Sequence, residues 1–353
     1  MFLDYLEIDN FRYFVLFQSA ILVKEDIKKR NVDEYVVINR IPQVGQFTRI
    51  FYYEGKILLV PLHSQNFALY DEYTNEIRAI EIPEKEISRQ SYGYFSAAIQ
   101  RGRYVYAFGI NYPGIVRVDI EKEQAQCICE LKQIGIKDKG FTGEMVEYNG
   151  KVCIPFENDV KIALFDLENE RLDILNPRIE GEGIIKTVCD NGDSLILVMS
   201  GGAAFDYTHY NSTINRMPNL EFLLMNKPII CHGVGNNGEI FLFPEQGNDV
   251  LAYSYKNQEG TWYSCPIEKK DSLCFYYVNC KNNNLTFYNE YTNRLFAFDK
   301  KRNCFEKSNI QLSDDEYMRL ILQESDTLIE SDNTSLPMFI NGVCGYSQLN
   351  NLA

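Results

Sequence analysis

Residues 49–61, Arg-Ile-Phe-Tyr-Tyr-Glu-Gly-Lys-Ile-Leu-Leu-Val-Pro, contain two apolar runs joined by Glu54-Gly55. Glycine readily adopts the positive φ that a two-residue hairpin turn needs, so this stretch predicts two antiparallel strands. A third apolar run, residues 66–70, ends at Asp71, and residues 76–82 are typical of a fourth strand. The segment therefore predicts one small four-stranded antiparallel sheet.

The same pattern occurs six times between Gln46 and Leu312. The first turns lie at Gly55, Gly102, Gly150, Gly192, Gly238 and Asn283, and the positions that close the third strands are Asp71, Asp119, Asp166, Asp206, Ser254 and Asp299. Successive turns are 47, 48, 42, 46 and 45 residues apart, and successive closing positions 48, 47, 40, 48 and 45. Because two independent markers advance together, the sequence contains a repeat of about 45 residues built from short strands.

The closing Asp residues have a structural interpretation. In Asp71-Glu-Tyr-Thr-Asn75, the carboxylate can accept a hydrogen bond from the backbone two residues further on. We therefore expect these carboxylates to form turns and not to act as catalysts.

The repeat resembles the β-propeller superfamily over residues 35–312, in the broad kelch-like and NHL-like sense of repeat length and strand pattern. The kelch double glycine is not repeated, since Gly201-Gly202 stands alone, and Trp262 is the sole tryptophan. The resemblance implies an all-β fold, a six-bladed β-propeller around a channel. The resemblance assigns no catalytic residue to this chain.

Three regions are expected along the chain: an N-terminal extension at 1–34, the six-bladed propeller at 35–312 and a C-terminal helical extension at 313–353. Two segments compete for the strand that would complete the last blade, residues 35–42 and residues 303–310, and the sequence leaves both open. The extension begins with the capping box Ser313-Asp-Asp-Glu316, and a second helical spacing follows Ser335. These features predict two short C-terminal helices.

Composition excludes several classes of partner. The chain has 353 residues and a formal net charge of -14, which disfavours nucleic acid and anionic membranes as partners. No run of residues has the length of an apolar membrane span, and acidic residues precede the apolar stretch 11–16 where a secretory signal would be basic. Several of the ten cysteines lie in apolar strands without a Cys-x-x-Cys pair, so we expect reduced thiols and a cytoplasmic protein.

The start of each first strand supplies the candidate ligand-binding residues. Counting six residues back from each turn gives one polar residue per blade: Arg49, Ser96, Glu144, Lys186, His232 and Tyr277. In a propeller these positions would form a ring at the channel mouth. The ring predicts a site for a small polar molecule, glycan or peptide that carries a carboxylate, phosphate or hydroxyl groups. A hydrated channel without a ligand accounts for the same residues.

The sequence leaves two classes of function open, a binding module and an enzyme. A binding or scaffold module would hold a ligand or partner protein on the polar face, aided by exposed aromatics such as Tyr92, Tyr94 and Tyr112. An enzyme, a hydrolase, lyase or cyclase of sugars or peptides, would need a titratable pair, for which Glu144 with His232 or Lys186 is the candidate. Mutual contact and desolvation of these groups favour the enzyme, and a wide wet opening favours the module.

No cofactor is expected, because the sequence contains no phosphate loop, dinucleotide fingerprint or Gly-x-Ser-x-Gly motif. The spacing of His63, His209 and His232 does not form a metal motif, so no metal is expected either.

Overall fold

The computed structural model describes residues 4–308 and 319–320, except for 17–20, 30, 39–46, 63, 65, 84–93, 137–139, 143, 158, 178, 180–182, 209–212, 226, 228, 237, 268–275, 282–283, 290–293 and 300. The chain forms two compact units, Met1–Gly140 with Gln311–Ala353, and Phe141–Ile310. Each unit is built from four-stranded antiparallel sheets, here called blades, in which the strands follow one another in chain order.

The first unit contains three blades. Blade 1 comprises β1 (Tyr5–Ile8), β2 (Phe11–Leu16), β3 (Ile21–Asp26) and β4 (Asn31–Val37). Blade 2 comprises β5 (Phe47–Tyr53), β6 (Lys56–Pro61), β7 (Asn66–Asp71) and β8 (Glu76–Glu81). Blade 3 comprises β9 (Phe95–Arg101), β10 (Tyr104–Gly109), β11 (Gly114–Asp119) and β12 (Gln124–Glu130), followed by a short 3-10 helix at Leu131–Ile134.

The second unit contains four blades and one α-helix. Blade 4 comprises β13 (Val146–Tyr148), β14 (Lys151–Pro155), β15 (Ile162–Asp166) and β16 (Arg171–Leu175), and blade 5 comprises β17 (Ile185–Asp190), β18 (Leu195–Met199), β19 (Ala204–Thr208) and β20 (Thr213–Arg216). Helix α1 (Pro218–Leu224) leads to blade 6, with β21 (Ile230–Asn236), β22 (Glu239–Pro244), β23 (Asp249–Ser254) and β24 (Glu259–Ser264). Blade 7 comprises β25 (Tyr276–Lys281), β26 (Asn284–Asn289), β27 (Arg294–Asp299) and β28 (Cys304–Lys307).

The all-β expectation is confirmed, but the expectation of six blades is wrong, since seven four-stranded sheets lie within the described residues. The additional blade is formed by residues 5–37, most of which belong to the segment 1–34 that was predicted to be an N-terminal extension. Its first turn is Asp9-Asn10 and carries no glycine, because Asp9 itself adopts a φ of 55°. The competition for a closing strand disappears, since Asn31–Val37 pairs with β3 in blade 1 and Cys304–Lys307 pairs with β27 in blade 7.

The predicted hairpin at Glu54-Gly55 is present. Tyr53 pairs with Lys56 across it, and both turn residues have positive φ, 46° and 79°. A positive φ at both central positions defines the type of turn whose twist matches that of the flanking strands. This turn therefore fixes the register of β5 against β6.

The apolar core of each unit lies between the faces of consecutive blades. In the first unit, blade 2 packs on blade 1 through Ile57 and Leu59 and on blade 3 through Leu58 and Val60. Alternate residues of β6 thus face opposite neighbours, which explains why the second strands are apolar on both faces. In the second unit, successive clusters join blade 4 to 5, 5 to 6 and 6 to 7.

The closing Asp residues form turns, as expected. Backbone N–H groups two and three residues further on donate to the carboxylates of Asp71, Asp166 and Asp299. Asp206 does not follow this pattern, because it pairs with Asn215 inside the ladder of β19 and β20. Its carboxylate instead accepts a hydrogen bond from the Tyr255 hydroxyl at 2.5 Å.

The predicted C-terminal helices lie outside the described residues, apart from the helical residues 319 and 320. Within the described part of the chain the one α-helix is α1, a seven-residue insertion between blades 5 and 6. No helix in that part has the length and hydropathy of a membrane span.

Candidate ligand-binding site

A β-bulge interrupts the first strand of several blades near its start. In each case the backbone pairing with the second strand skips one residue, and the skipped residues are Thr48, Ser96, Lys186 and Cys231. A bulge adds one residue to one strand, so it changes which way the neighbouring side chains point. The bulges therefore bear directly on which of the sequence-predicted residues share a face.

When backbone pairs are counted from the hairpin turn, some sequence-predicted residues lie at the fifth pair and others lie one residue before it. The fifth pair from the turn contains Arg49 in blade 2, Ala97 in blade 3 and His232 in blade 6. In blade 5 it contains Thr187, because Asn191 N–H also donates to Ser194 O and extends the hairpin by one pair. Ser96 and Lys186 are the bulged residues immediately before this position.

The one-residue error has a simple cause. Gly55 is the second residue of its two-residue turn, whereas Gly102 is the first residue of its turn. Side chains alternate between the faces of a strand, so a shift of one position reverses the face. The sequence count therefore selected Ser96 and Lys186, where the register selects Ala97 and Thr187.

The remaining predicted residues are divided between the units. Arg49 and Ser96 lie in the first unit, where Arg49 Nη1 donates to the backbone oxygen of Thr48 at 3.1 Å. Tyr277 lies in β25, but its side chain is outside the described residues. Tyr112, which was expected to be exposed, is fully buried, and Tyr92 is outside the described residues.

The second unit brings Glu144 and His232 together although they are 88 residues apart in sequence. Glu144 Oε1 lies 2.5 Å from His232 Nδ1. Its other oxygen, Oε2, accepts hydrogen bonds from Thr187 Oγ1 at 3.1 Å and from Gly233 N–H at 3.3 Å. Among the described residues, Lys186 forms no ion pair with either member of this pair. The cluster Glu144–Thr187–His232 is therefore formed by blades 4, 5 and 6.

Gly233 allows the cluster to close. A Cβ atom at this position would lie 2.4 Å from Cys189 Sγ and 2.8 Å from Thr187 Oγ1. Real Cβ atoms do not tolerate such separations, so only glycine lets β21 approach β17 this closely. The same approach places the Gly233 N–H on the Glu144 carboxylate.

The charge of Glu144 controls the imidazole of His232. Burial alone would lower the pKa of His232, but the negative charge of Glu144 and side-chain hydrogen bonds of Cys231 and Glu144 raise it well above its usual 6.5. The exposed fractions of the two side chains are 23% for His232 and 14% for Glu144. Burial also raises the pKa of the Cys189 thiol, and the charge of Glu144 adds to this effect. The raised pKa values thus favour a protonated His232 ring and a neutral Cys189 thiol.

The arrangement defines the available chemistry. With the ring protonated, Nδ1–H donates to Glu144 and Nε2–H is a second donor, so the ring can bind an anion or a hydroxyl oxygen. His63 and His209 lie outside the described residues. Within the described part of the chain, no group of three or more His, Cys, Asp or Glu side chains could hold a metal ion.

No protein-family profile and no curated protein sequence matches the chain. Solved structures do resemble it. The computationally designed Ika8 protein matches with a TM-score of 0.58 at 7% identity over 88% of each chain. BamB from Moraxella catarrhalis matches with a TM-score of 0.52 at 12% identity over 82% of each chain. The Pan2 WD40 domain of Neurospora crassa matches with a TM-score of 0.54 at 11% identity, over 88% of this chain and 91% of that one.

At these identities the likeness shows the fold and nothing finer. Together with the seven four-stranded sheets, it defines the class of this protein as a β-propeller with seven blades. The kelch-like and NHL-like resemblance continues to rest on repeat length and strand pattern.

Proposed function

We propose that the protein is a binding module whose second unit holds a small polar molecule, or a polar group of a glycan or peptide, at Glu144, Thr187 and His232. The observation that carries the proposal is the engagement of Glu144. Its two oxygens interact with His232 Nδ1, Thr187 Oγ1 and Gly233 N–H. A carboxylate with three such partners orients and charges the imidazole, and it has little capacity left to take a proton from a substrate.

The ligand class follows from the charge of the imidazole. A partly buried imidazolium favours a carboxylate, a phosphate or a hydroxyl oxygen, because a charge-assisted hydrogen bond contributes about 1.5–3 kcal/mol. This local positive charge is held in a protein whose formal net charge is -14. Short-range contacts decide such binding, since distant surface charges are screened by salt over about 8–10 Å.

The proposal can be tested with panels of carboxylic acids, phosphorylated metabolites and oligosaccharides in a thermal-shift screen, followed by calorimetry. A ligand bound at the cluster should lose affinity by about tenfold or more in His232→Gln. Lys186→Ala and Arg49→Ala extend the test to the other sequence-predicted cations. A ligand that binds wild type and His232→Gln equally would place the site elsewhere.

One observation favours a second candidate, an enzyme. A histidine held by a carboxylate at Nδ1 is the arrangement in which Nε2 can act as a general acid or base. On this view the protein would be a hydrolase, lyase or cyclase, with His232 as the acid and Glu144 as its positioning residue. Turnover of a sugar or peptide substrate that disappears in His232→Gln would support the enzyme, and binding without turnover would support the module.

We also propose a cytoplasmic location. Eight of the ten cysteines are described, and none of these eight is in a disulfide. Burial raises the pKa of the Cys153 thiol to about 12, which disfavours its oxidation. Thiol titration of the denatured, non-reduced protein should find close to ten free thiols. A count of about four or fewer would point to an oxidising compartment.

A further inference from the structure

Helix α1 leaves apolar side chains exposed. Its buried residues Leu220 and Leu224 pack into the core between blades 5 and 6, and Leu223 packs against that core. On the other side, Phe222 is 72% exposed, and Met225 just after the helix is 61% exposed. A helix that is apolar on both sides is normally covered on both sides. Within the described residues, the outer side of α1 therefore has no cover.

A cavity adjoins the exposed residues. It has a volume of about 280 Å³ and lies between the turn at Ser200–Ala203, the end of α1 and the start of β21. Leu224 and Ile230 form part of its apolar lining, and Ile229, itself 43% exposed, stands at its edge. Five large hydrophobic residues are exposed in the described part of the chain, and three of them are Phe222, Met225 and Ile229. Such clustering is typical of an interaction surface.

Arg216, Glu221 and Lys227 are the charged residues that line the cavity, and together they carry one formal positive charge. Glu221 is engaged by Arg216, whose Nε lies 2.8 and 2.9 Å from its two oxygens, and by the N–H of Ala204 at 3.1 Å. Lys227 lines the cavity, and its ammonium lies 4.8 Å from the centre of the Trp262 ring. No carboxylate among the described residues lies within ion-pair distance of Lys227. The ammonium, held by a cation–π contact, can therefore pair with an acidic group of a partner.

We propose that this surface, formed by Phe222, Met225, Lys227, Ile229 and the adjoining cavity, binds an acidic peptide segment of another protein. A large apolar side chain of the segment enters the cavity, and a neighbouring Asp or Glu pairs with Lys227. This combination of an apolar anchor with a charged rim is typical of peptide recognition. The surface is formed by the insertion between blades 5 and 6, and it shares no residue with the Glu144–Thr187–His232 cluster.

A phage-displayed library of random short peptides, selected against the purified full chain, tests the proposal. The selected sequences should share a Leu, Met or Phe with an Asp or Glu close by. By fluorescence polarisation, Phe222→Ala should weaken binding of a labelled selected peptide by about tenfold, and Lys227→Glu by at least as much. Binding should also weaken with added salt.

Two controls make the result decisive. Tyr73→Ala removes another highly exposed aromatic side chain, in the first unit, and should leave binding unchanged. His232→Gln should also leave it unchanged, so a failure here is distinct from a failure of the proposed ligand site. The proposal is overturned if no peptide is selected, if the peptides lack acidic residues, or if Phe222→Ala and Lys227→Glu bind normally. It is also overturned if sedimentation shows a dimer that Phe222→Ser dissolves, because the surface would then bind a second copy.

Discussion

Asp4 in blade 1 and Glu144 in blade 4 are carboxylates at corresponding places. Each lies just before the first strand of its blade and is the fifth residue back from the hairpin turn. Each carboxylate accepts a hydrogen bond from a backbone N–H of a later blade. The donor is the residue that follows the fifth backbone pair from the hairpin of that blade. Asp4 Oδ2 accepts from Ile50 N–H at 3.2 Å, and Glu144 Oε2 accepts from Gly233 N–H at 3.3 Å. The residues before these donors are Arg49 and His232.

The two carboxylates nevertheless differ in the hydrogen-bond partners that surround them. Both oxygens of Asp4 accept from backbone, since Oδ1 also receives Tyr5 N–H at 2.9 Å. Glu144 is one methylene longer and meets a titratable side chain, His232, as well as the backbone. The same position thus receives the N–H groups of Tyr5 and Ile50 in one unit, and the Gly233 N–H, a hydroxyl and an imidazole in the other. The difference depends on side-chain length and on the close approach that Gly233 permits.

The largest effect is expected from Gly233→Ala, which removes that close approach. The new methyl group would overlap Cys189 and Thr187, and overpacking of this kind costs about 1–3 kcal/mol. Urea denaturation should show this loss in the free energy of unfolding. Adding Cys189→Ala removes the closest overlap and should restore part of the loss. Full stability in the single variant would contradict the role given to Gly233.

An intermediate effect is expected when each carboxylate becomes an amide. In Asp4→Asn the NH₂ group replaces the acceptor of either the Tyr5 or the Ile50 N–H, and a buried N–H that loses its acceptor costs about 1–3 kcal/mol. In Glu144→Gln the amide oxygen can keep the Thr187 and Gly233 bonds while its NH₂ donates to a neutral His232, so the cost should be below about 1 kcal/mol. Chemical denaturation of the two variants measures the contrast. Equal losses of unfolding free energy in Asp4→Asn and Glu144→Gln would contradict the expected difference between the two positions.

The smallest effect concerns pH. The folded-state pKa of His232 is raised, so its contribution to stability is fully present below pH 6.5 and is lost as the pH rises through the folded pKa. In Glu144→Gln the charge of Glu144 is gone, and burial, the largest cause, is opposed by Cys231 alone, so the pKa of His232 should fall and the variant should lose the stabilisation that the wild type has at low pH. Each dependence has a slope of at most about 1.4 kcal/mol per pH unit. NMR titration of the histidines, with His232→Gln for assignment, gives the two pKa values, and an unchanged pKa in Glu144→Gln would refute the coupling.

Much of the fold was predictable from local chemistry, because Gly55 readily adopts the positive φ of a tight turn and the closing Asp side chains accept hydrogen bonds from the backbone of the turn that follows. The first blade was missed for a specific reason: its turn, Asp9-Asn10, uses non-glycine residues, so a count of glycines begins one blade late. A usable signal did exist, since Asp26 precedes Asp71 by 45 residues and accepts the same turn bonds from Lys28 and Lys29. Repeat markers that mix Gly, Asn and Asp would have found it.

The candidate site was less accessible to sequence. Glu144 and His232 could be placed as ring positions, but their contact depends on Gly233, whose role appears only when β21 is seen against β17. Thr187 was missed because Gly192 lies inside a hairpin extended by the Asn191–Ser194 pair. Side-chain orientation there depends on turn geometry and bulges, which residue spacing does not encode.

The bulged residues carry a consequence for how such a protein can change over evolutionary time. A bulged residue is skipped in the backbone pairing of the ladder, so the backbone pairs on either side of it do not depend on its own backbone groups. Thr48, Ser96, Lys186 and Cys231 already present two hydroxyls, an ammonium and a thiol at this one kind of position. The start of each first strand is therefore a place where new chemistry can be sampled blade by blade while the sheets stay intact.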